Sequence, residues 1–327
     1  MILVTGGAGF IGSNLVAALS ERGTPAAVCD HLGATDKWRN LAKHEIVDLI
    51  APDQCLGWLD RNRHLVEMVV HLGAVSDTAA TDADLVVANN YSVSRSLWDW
   101  CSRAERPLIY ASSAATYGDG AAGFSDRWEP EALAKLRPLN LFGWSKHLFD
   151  RWVAAQAGSG RPTPPRWYGL KFFNVYGPNE YHKGPMQSVI ARNYPRVANG
   201  LAIELFRSYR EGYAHGAQKR DFVTVRDCVE LLLWLCSAST ASGIYNVGTG
   251  SPRSFIDLTN ALFAAAGHEP RIEFIEMPQT LRPLYQYETA ADLTRLRAAG
   301  YDRPFISLEA GIADYVSRYL SAGDRYR

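Results

Sequence analysis

Three glycines near the start of the chain are spaced as in a turn that binds a phosphate group. Gly7, Gly9 and Gly12 follow the pattern Gly-x-Gly-x-x-Gly, after the apolar run 2–5 and before a helix-like stretch that begins at Ser13. Because glycine has no Cβ atom, a pyrophosphate can approach this backbone, and the N-terminus of the next helix offers it unpaired N–H groups. The flanking strand and helix favour a dinucleotide site over a purely structural turn.

Asp30 and two basic residues after it bear on which dinucleotide is bound. Asp30 ends the second predicted strand, where its carboxylate would accept hydrogen bonds from an adenosine ribose. Lys37 and Arg39 follow closely and would bind a 2′-phosphate, the group that distinguishes NADP from NAD. A solvated basic loop is the alternative interpretation. We expect NADP, with NAD as the cofactor if the two cations only face solvent.

The elements that must position these residues alternate between short apolar runs and longer stretches with helical spacing. The predicted strands are 2–5, 26–30, 68–72, 108–112 and 167–174, and the predicted helices between them are 13–21, 84–104 and 142–155. Strands joined by helical crossovers form a parallel sheet that is buried on both faces. We therefore predict an α/β fold, a Rossmann-type doubly wound parallel sheet.

The length of the chain predicts a second lobe. With 327 residues, it exceeds the roughly 250–300 at which single cores stop growing. The strand–helix alternation also breaks down after residue 174. We expect a dinucleotide-binding Rossmann domain over 1–174 plus about 223–250, and a smaller C-terminal α/β substrate-binding lobe over about 175–222 and 251–327.

Charge, hydropathy and cysteine content disfavour several classes of protein. Lys+Arg 34 equals Asp+Glu 34, so no net field attracts nucleic acid or an anionic bilayer. The longest apolar stretch, 229–236, is far shorter than the roughly 18 residues of a membrane span, and 2–4 reads as a strand where a signal peptide would begin. The five cysteines are scattered without a Cys-x-x-Cys pair, and no histidines stand at metal-ligand spacing, with His71 placed as a core residue. We expect a cytoplasmic protein that binds no metal.

Six segments carry a resemblance to a known family. Residues 5–12 (Thr-Gly-Gly-Ala-Gly-Phe-Ile-Gly), 111–118 (Ala-Ser-Ser-Ala-Ala-Thr-Tyr-Gly) and 173–178 (Phe-Asn-Val-Tyr-Gly-Pro) resemble the extended short-chain dehydrogenase/reductase superfamily of nucleotide-sugar enzymes. Residues 179–184 (Asn-Glu-Tyr-His-Lys-Gly), 219–223 (Lys-Arg-Asp-Phe-Val) and 296–302 (Leu-Arg-Ala-Ala-Gly-Tyr-Asp) resemble specifically the ADP-L-glycero-D-manno-heptose 6-epimerase family. The resemblance spans the whole chain. It implies inversion of C6 of an ADP-linked heptose on the way to the lipopolysaccharide inner core.

The resemblance implies a redox cycle without net oxidation. The bound oxidised nicotinamide takes hydride from C6, the substrate reorients, and the same hydride returns to the opposite face. Each half-reaction needs a group that takes or gives the hydroxyl proton. In the family these groups are a Tyr and a Lys, and the Lys matches Lys183. Ser113 matches the hydroxyl that steadies the reacting oxygen, with a serine that caps the next turn as the alternative.

The family tyrosine is missing from this chain. It belongs to a Tyr-x-x-x-Lys motif that places both residues on one helix face, where the lysine lowers the phenol pKa and holds the nicotinamide ribose. Here the motif reads Phe-Gly-Trp-Ser-Lys from Phe142 to Lys146. Phe142 cannot carry a proton, and loss of one general acid/base costs roughly 10²- to 10⁴-fold in rate. An engineered trap, a natural variant that keeps slow activity through Lys183 and a binding protein without catalysis all stay open; the other intact segments favour an impaired epimerase.

The resemblance also implies two sets of contacts. The cofactor contacts are Gly6, Gly9, Phe10, Ile11, Gly12, Asp30, His31, Lys37, Leu72, Gly73, Ala74, Val75, Ser76, Asn89, Lys146, Val175 and Lys183. The substrate contacts are Ser113, Asn174, Pro185, Arg192, Phe206, Arg207, Ser208, Tyr209, Arg220 and Tyr285. Arg220 is expected to hold the ADP diphosphate through its fork of donors, with a surface ion pair to Asp221 as the alternative.

Two other functions compete with heptose epimerisation. One is another nucleotide-sugar epimerase of the UDP-sugar 4-epimerase type; a sugar 4,6-dehydratase is less favoured, because relatives of that kind carry Asp-Glu where this chain has Ala114 and Ala115. The other is a non-catalytic protein that binds NAD(P) or a nucleotide-sugar, which only Phe142 supports. In either case the resemblance implies a homo-oligomer.

Overall fold

A central parallel sheet organises the computed structural model, which describes residues 1–279, 281–282 and 285–327. The strands are β1 Ile2–Thr5, β2 Ala26–Cys29, β3 Asp48–Ile50, β4 Met68–His71, β5 Leu108–Ser113, β6 Trp167–Phe172, β7 Asn174–Tyr176, β8 Ile203–Phe206, β9 Lys219–Arg220, β10 Phe222–Thr224, β11 Gly243–Val247, β12 Arg253–Ser254 and β13 Ile272–Ile275. Seven of them form the central sheet in the order β3-β2-β1-β4-β5-β6-β11, with parallel neighbours throughout. The predicted Rossmann-type α/β fold is confirmed.

Helices cover both faces of this sheet. The α-helices are α1 Phe10–Glu21, α2 Cys55–Arg61, α3 Ala83–Val87, α4 Val93–Ala104, α5 Pro130–Leu133, α6 Leu141–Gly158, α7 Val189–Val197, α8 Val225–Ser237, α9 Phe255–Ala266, α10 Thr294–Ala298 and α11 Leu308–Tyr315. Leu15 of α1 and Leu231 of α8 pack on one face, and Trp98 of α4 and Phe149 of α6 pack on the other. Burial on both faces explains why strands such as 68–71 are apolar without alternation.

The observed elements differ from the predicted ones at a few places. Helix α1 begins at Phe10 and not at Ser13, because the extended backbone of Gly9 caps it. The predicted helix 84–104 is interrupted by a π-helical turn, Ala88–Ser92, and β3 and α2 were not predicted. Within that turn the Asn90 amide accepts the Val75 N–H at 2.8 Å and donates to the Val75 carbonyl at 2.9 Å. These two hydrogen bonds connect the π-helical turn to the loop after β4 and hold that loop in place.

Strands β1 and β4 lie side by side at the point where the chain changes direction across the sheet. The helix after β1 packs on one face, and the helices after β4 pack on the other. The loops that diverge there touch, since a Cβ atom on Gly6 would come 2.6 Å from the Gly73 nitrogen. Open α/β sheets bind ligands at such a point.

A second cluster of elements lies beyond the central sheet. Helices α7, α9 and α11 enclose a separate apolar core with Ile203 and Leu205 of β8, which pairs with β13. The chain returns to the central sheet at β11, which pairs with β6. Leu296 and Tyr301, which the predicted division assigns to the second lobe, pack in the core beside α1. The division at the stated bounds stays a prediction. Among the described helices, none has the length and apolar character needed to cross a membrane.

Candidate active site

The glycine turn between β1 and α1 has the geometry of an anion cradle. Gly6 has φ +66°, and a Cβ atom on Gly12 would lie 2.1 Å from the Gly6 carbonyl oxygen, so neither position accepts a larger residue without rearrangement. Because α1 begins at Phe10, the residues Phe10, Ile11 and Gly12 form its first turn, and no side chain caps it. The N–H groups of that turn have no partner within the helix and are available to a phosphate.

Asp30 and Lys37 meet beside this turn. Asp30 Oδ2 accepts the Ala8 N–H at 2.9 Å, and Asp30 Oδ1 lies 2.6 Å from Lys37 Nζ. Lys37 also donates to the His31 carbonyl at 2.8 Å. Arg39, which was predicted to bind a 2′-phosphate together with Lys37, instead pairs with Asp36 at 3.4 Å on the surface. Lys37 is thus the cation that the structure places at the end of β2.

Two adjoining pockets of about 630 and 400 Å³ run along the glycine turn and share Asp30, Lys37 and Gly73. The larger is lined by the predicted cofactor contacts Gly6, Gly9, Phe10, Ile11, Gly12, Asp30, Lys37, Leu72, Gly73, Ala74, Val75, Ser76 and Lys183. The smaller adds His31 and Asn89. A cradle without Cβ atoms, a helix N-terminus and an acidic residue at the next strand end together fit a nicotinamide dinucleotide.

A third pocket, of about 430 Å³, continues the larger one and shares Phe10, Leu72 and Lys183 with it. Its walls bring together residues that are far apart in the chain. They include the predicted site residues Ser113, Phe142, Lys146, Asn174, Val175, Lys183, Pro185 and Arg192. We call this space the reaction pocket.

Ser113 ends β5 at the edge of the reaction pocket. Its Oγ accepts the Ala115 N–H at 3.1 Å, so the serine caps the short turn Ala114–Tyr117, as in the alternative interpretation. This bond uses a lone pair of the hydroxyl and leaves its proton free to be donated. Capping and donation to a substrate oxygen are therefore compatible.

Phe142 and Lys146 lie one turn apart at the start of α6. Asn140 caps this helix by accepting the Gly143 N–H at 2.8 Å. Both residues line the pocket, and only Lys146 of the two has an ionisable group. Lys146 is 4% exposed, and desolvation lowers the pKa of its ammonium group from 10.5 to about 8, with partial opposition from Asp150.

Lys183 approaches the pocket from the turn Tyr181–Met186. Its Nζ lies 5.1 Å from the centre of the Phe10 ring, which belongs to the first turn of α1. Desolvation lowers the pKa of Lys183, and the negative charge of Glu180 opposes this shift. Glu180 is buried and accepts hydrogen bonds from Ser188 Oγ at 2.8 Å and from the Tyr315 hydroxyl at 3.2 Å. The loop that carries Lys183 is therefore anchored to α7 and α11.

The remaining predicted substrate contacts lie outside the reaction-pocket wall. The Arg220 guanidinium lies 5.1 Å from the Tyr285 ring centre and 5.6 Å from that of Phe255, which does line the pocket. Phe206 packs edge-on against Tyr285. Further out, Arg207 pairs with Glu276 at 3.6 Å, the Ser208 N–H donates to His215 Nδ1, and the Tyr209 ring lies under the Arg282 guanidinium.

The alternative of a surface ion pair between Arg220 and Asp221 is wrong. Both residues are buried, and the Asp221 carboxylate instead accepts N–H groups from Thr249, Gly250 and Ala291 at 2.7–2.9 Å. Arg220 donates to the Lys219 carbonyl at 2.8 Å. Its guanidinium is left among aromatic rings, next to the pocket.

Several residues at the site were not predicted from the sequence. Asp150, one turn after Lys146, is fully buried and accepts hydrogen bonds from Ser112 Oγ at 2.7 Å and from the Tyr110 hydroxyl at 3.1 Å. Lys171 Nζ lies 3.3 Å from the same carboxylate. The i, i+4 spacing of Lys146 and Asp150 was a signal in the sequence, whereas the approach of Lys171 depends on strand register.

His182 was also missed and links the Lys183 turn to the glycine turn. Its Nδ1 lies 3.2 Å from Asn40 Nδ2, which donates to the Ala8 carbonyl at 2.9 Å. Burial lowers the pKa of His182 to about 4, so its ring is neutral near pH 7. His71, predicted as a core residue, is buried between Thr5 and Ser94. Within the described ranges, no cluster of His, Cys, Asp or Glu could hold a metal ion.

Comparison with known proteins identifies the family. Residues 2–248 match the model of the NAD dependent epimerase/dehydratase family. The ADP-L-glycero-D-manno-heptose-6-epimerase of Fusobacterium nucleatum is 45% identical, with both chains fully covered, and that of Nitratidesulfovibrio vulgaris strain Hildenborough is 46% identical over 99% of each chain.

Solved structures agree with this kinship. The Helicobacter pylori ADP-L-glycero-D-manno-heptose-6-epimerase is 28% identical, with a TM-score of 0.78 over 97% of this chain and 95% of that one. The Thermus thermophilus UDP-glucose 4-epimerase in complex with NAD is also 28% identical, with a TM-score of 0.75 over 98% and 99% of the two chains. Neither the TM-score nor the 28% identity separates these two structures, whereas the curated relatives at 43–46% identity over nearly the full length are named heptose epimerases. The chain belongs to the NAD dependent epimerase/dehydratase family and, within it, to the group of ADP-L-glycero-D-manno-heptose 6-epimerases.

Proposed function

We propose that this protein inverts C6 of an ADP-linked heptose, converting ADP-D-glycero-D-manno-heptose to ADP-L-glycero-D-manno-heptose. The observation that carries this proposal is the reaction pocket, where Ser113, Lys146 and Lys183 meet at the end of the cofactor cleft. The 43–46% identity to heptose epimerases supports the substrate over a UDP-sugar.

A nicotinamide bound in the cleft supplies reversible oxidation of the sugar carbon. The residues of the chain transfer the protons and bind the substrate. Ser113, whose lone pair is occupied by the Ala115 N–H, donates its proton to the reacting oxygen. Lys183 exchanges a proton with that oxygen in one orientation of the sugar, and its lowered pKa suits this role. Arg220, buried among aromatic rings, faces the diphosphate as a charged fork of donors.

Phe142 lowers the turnover of this enzyme in our proposal. Its ring keeps the shape of the pocket wall but offers no proton, so the expected rate loss relative to a tyrosine is roughly 10²- to 10⁴-fold. The test is to incubate the wild-type protein and Phe142→Tyr with ADP-D-glycero-D-manno-heptose and to follow the ratio of C6 epimers. We expect slow conversion by the wild-type protein and faster conversion by the variant. If Phe142→Tyr is inert and instead binds a UDP-sugar tightly, the heptose proposal is wrong.

We propose NADP as the preferred cofactor, with NAD also accepted. A lone Asp30 carboxylate would repel a 2′-phosphate, but Lys37 Nζ lies 2.6 Å from it and neutralises its charge. Both residues line the two cofactor pockets. This arrangement supports binding of the phosphorylated ribose.

The biological setting is also a proposal. We propose a role in making the lipopolysaccharide inner core, in the cytoplasm, by a homo-oligomer, as the sequence resemblance to this group implies. Light scattering on the purified protein tests the oligomer, and complementation of a heptose-deficient bacterial strain tests the pathway.

A further inference from the structure

Two buried lysines lie near Asp150, and they differ in the hydrogen bonds and charges that surround their ammonium groups. Lys171 Nζ donates to Thr116 Oγ1 at 2.7 Å, lies 3.3 Å from Asp150 and sits 4.5 Å from the Tyr117 ring centre. Lys146 Nζ has no hydrogen-bond acceptor among the residues that the structure describes, and only the more distant charge of Asp150 stabilises its cation. Lys171 is therefore a structural cation, whereas Lys146 is buried, unpaired and on the wall of the reaction pocket.

Lys146 lies one helical turn after Phe142, close to the position of the missing tyrosine hydroxyl. On a helix, residues four apart lie on one face about 5–6 Å apart, so Lys146 borders the space where a tyrosine hydroxyl would stand. Ser113 and Lys183 line the same pocket.

We propose that Lys146 replaces the missing tyrosine as the second proton-transfer group of the epimerase. This inference rests on the proposed function. In one orientation of the sugar, the neutral amine of Lys146 takes the C6 hydroxyl proton, directly or through one water, while the C6 hydride leaves to the oxidised nicotinamide. The products of that half-reaction are a C6 carbonyl and a Lys146 ammonium. After the sugar reorients, the hydride returns to C6 and Lys183 gives a proton to the new alkoxide. Proton exchange with solvent water then returns Lys146 to its neutral form and Lys183 to its ammonium form, so that atoms and electrons balance.

The charges around Lys146 allow it to be neutral in part at moderately alkaline pH. The groups that face it or its partner carboxylate are Asp150 on α6, His71 on β4, Tyr110 and Ser113 on β5, Lys171 on β6 and Lys183 on the turn after β7. Burial keeps His71 neutral by lowering its pKa to about 3, and Asp150 already compensates Lys171. Desolvation therefore prevails at Lys146, whose pKa falls to about 8. A base of this pKa becomes active as the pH rises through about 8.

Lys146→Arg separates proton transfer from charge. Arginine keeps a cation and donors for the cofactor ribose, but it is not deprotonated in proteins. We expect Lys146→Arg to bind NADP as the wild-type protein does and to lose a further roughly 10²- to 10⁴-fold in conversion of ADP-D-glycero-D-manno-heptose. Phe142→Tyr/Lys146→Arg should recover conversion, because the phenol then carries the proton.

The possible outcomes are distinct. If Lys146→Arg converts substrate as fast as the wild-type protein, or if Phe142→Tyr fails to rescue it, Lys146 does not carry the proton and the inference is overturned. If the wild-type protein is inert while Phe142→Tyr is active, the inference is overturned but the proposed function stands. If neither converts the heptose, the proposed function fails and the inference with it.

A second measurement does not depend on activity. Nuclear magnetic resonance of protein with ¹³C-labelled lysines, in the presence of NADP, follows the titration of each ammonium group, and Lys146→Arg assigns the Lys146 signal. We expect this signal to titrate with a pKa of about 8, well below the ordinary lysine pKa of 10.5. A Lys146 signal that titrates at the ordinary lysine pKa would overturn the inference.

Discussion

Asp150 is a buried anion whose removal tests how the wall of the reaction pocket is stabilised. Its carboxylate, fully buried, accepts hydrogen bonds from Ser112 and Tyr110 and faces Lys171, which is 1% exposed at its side chain. Asp150→Ala leaves Lys171 as an uncompensated buried charge. Breaking a buried pair in this way typically costs about 3–5 kcal/mol of unfolding free energy. We expect the lower half of that range, since Thr116 still accepts from Lys171 Nζ at 2.7 Å.

The pH dependence of this loss follows from Lys171. Desolvation lowers its pKa in the folded protein, and removal of Asp150 lowers it further, because the carboxylate raises it. Between the folded and unfolded pKa values, the unfolded chain binds more protons, so the stability of Asp150→Ala rises with pH. The variant should therefore be least stable, relative to the wild-type protein, at neutral pH and should recover towards pH 10.

Urea unfolding of the cofactor-free protein, followed by tryptophan fluorescence, measures the effect. Asp150→Ala/Lys171→Met removes the lone cation and should be more stable than Asp150→Ala alone. Asp314→Ala is the matched control, because its pair with Arg318 at 3.5 Å is exposed and worth about 0.3–0.5 kcal/mol. A loss below about 1 kcal/mol for Asp150→Ala, or no recovery in the double variant, would refute the reasoning.

Three further predictions concern the cofactor and the Lys183 loop. Lys37→Ala should weaken NADP binding by roughly 10-fold or more, because a charge-assisted hydrogen bond is worth about 1.5–3 kcal/mol. Calorimetric titrations should show nearly unchanged NAD binding. Equal weakening of NADP and NAD binding would contradict the 2′-phosphate role of Lys37. Gly12→Ala should abolish dinucleotide binding, since its Cβ would lie 2.1 Å from the Gly6 oxygen. The control Gly158→Ala, whose Cβ would have no atom within 4 Å, should bind normally. Tight binding by Gly12→Ala would show that the glycine turn does not bind the dinucleotide. Glu180→Gln should lower kcat by up to about 10²-fold through displacement of Lys183 while the NADP affinity stays constant, and an unchanged kcat would show that Glu180 does not position the lysine.

The central sheet was predictable because its signals are local. Buried parallel strands such as β1 and β4 leave continuous apolar runs, and the glycine turn follows one of them directly. Strand β3 gave no such signal, since Asp48 and Leu49 are exposed at the edge of the sheet. The π-helical turn in the predicted helix 84–104 depends on hydrogen bonds between Asn90 and Val75, which are distant in sequence. Hydrogen bonds between distant residues leave no periodic pattern in the sequence, so they cannot be predicted from it.

In the candidate site too, residues that belong to local motifs were predictable, whereas contacts between distant segments were not. Several residues of the reaction pocket were named from motifs, and the structure brings them together because β5 ends at this pocket while α6 and β7 begin there. The partner of Asp150 could not be named, because it depends on the register that sets Ser112 opposite Lys171. Arg220 and Tyr285 were named, but the position of the Arg220 guanidinium near the rings of Tyr285 and Phe255 depends on the packing of the second lobe.

The exchange of tyrosine for phenylalanine at position 142 can be tested without structural side effects, because the start of α6 is fixed by other contacts. Asn140 caps the helix, and a Cβ atom on Gly143 would come 2.7 Å from the Ala115 carbonyl oxygen, so the helix end packs tightly against the turn after β5. Neither contact involves the Phe142 ring, which lines the pocket. Adding one hydroxyl there changes the chemistry of the pocket and leaves its frame in place. Any gain in rate by Phe142→Tyr therefore measures proton transfer, and in our proposal Lys146 and Lys183 carry the rate that the wild-type protein retains.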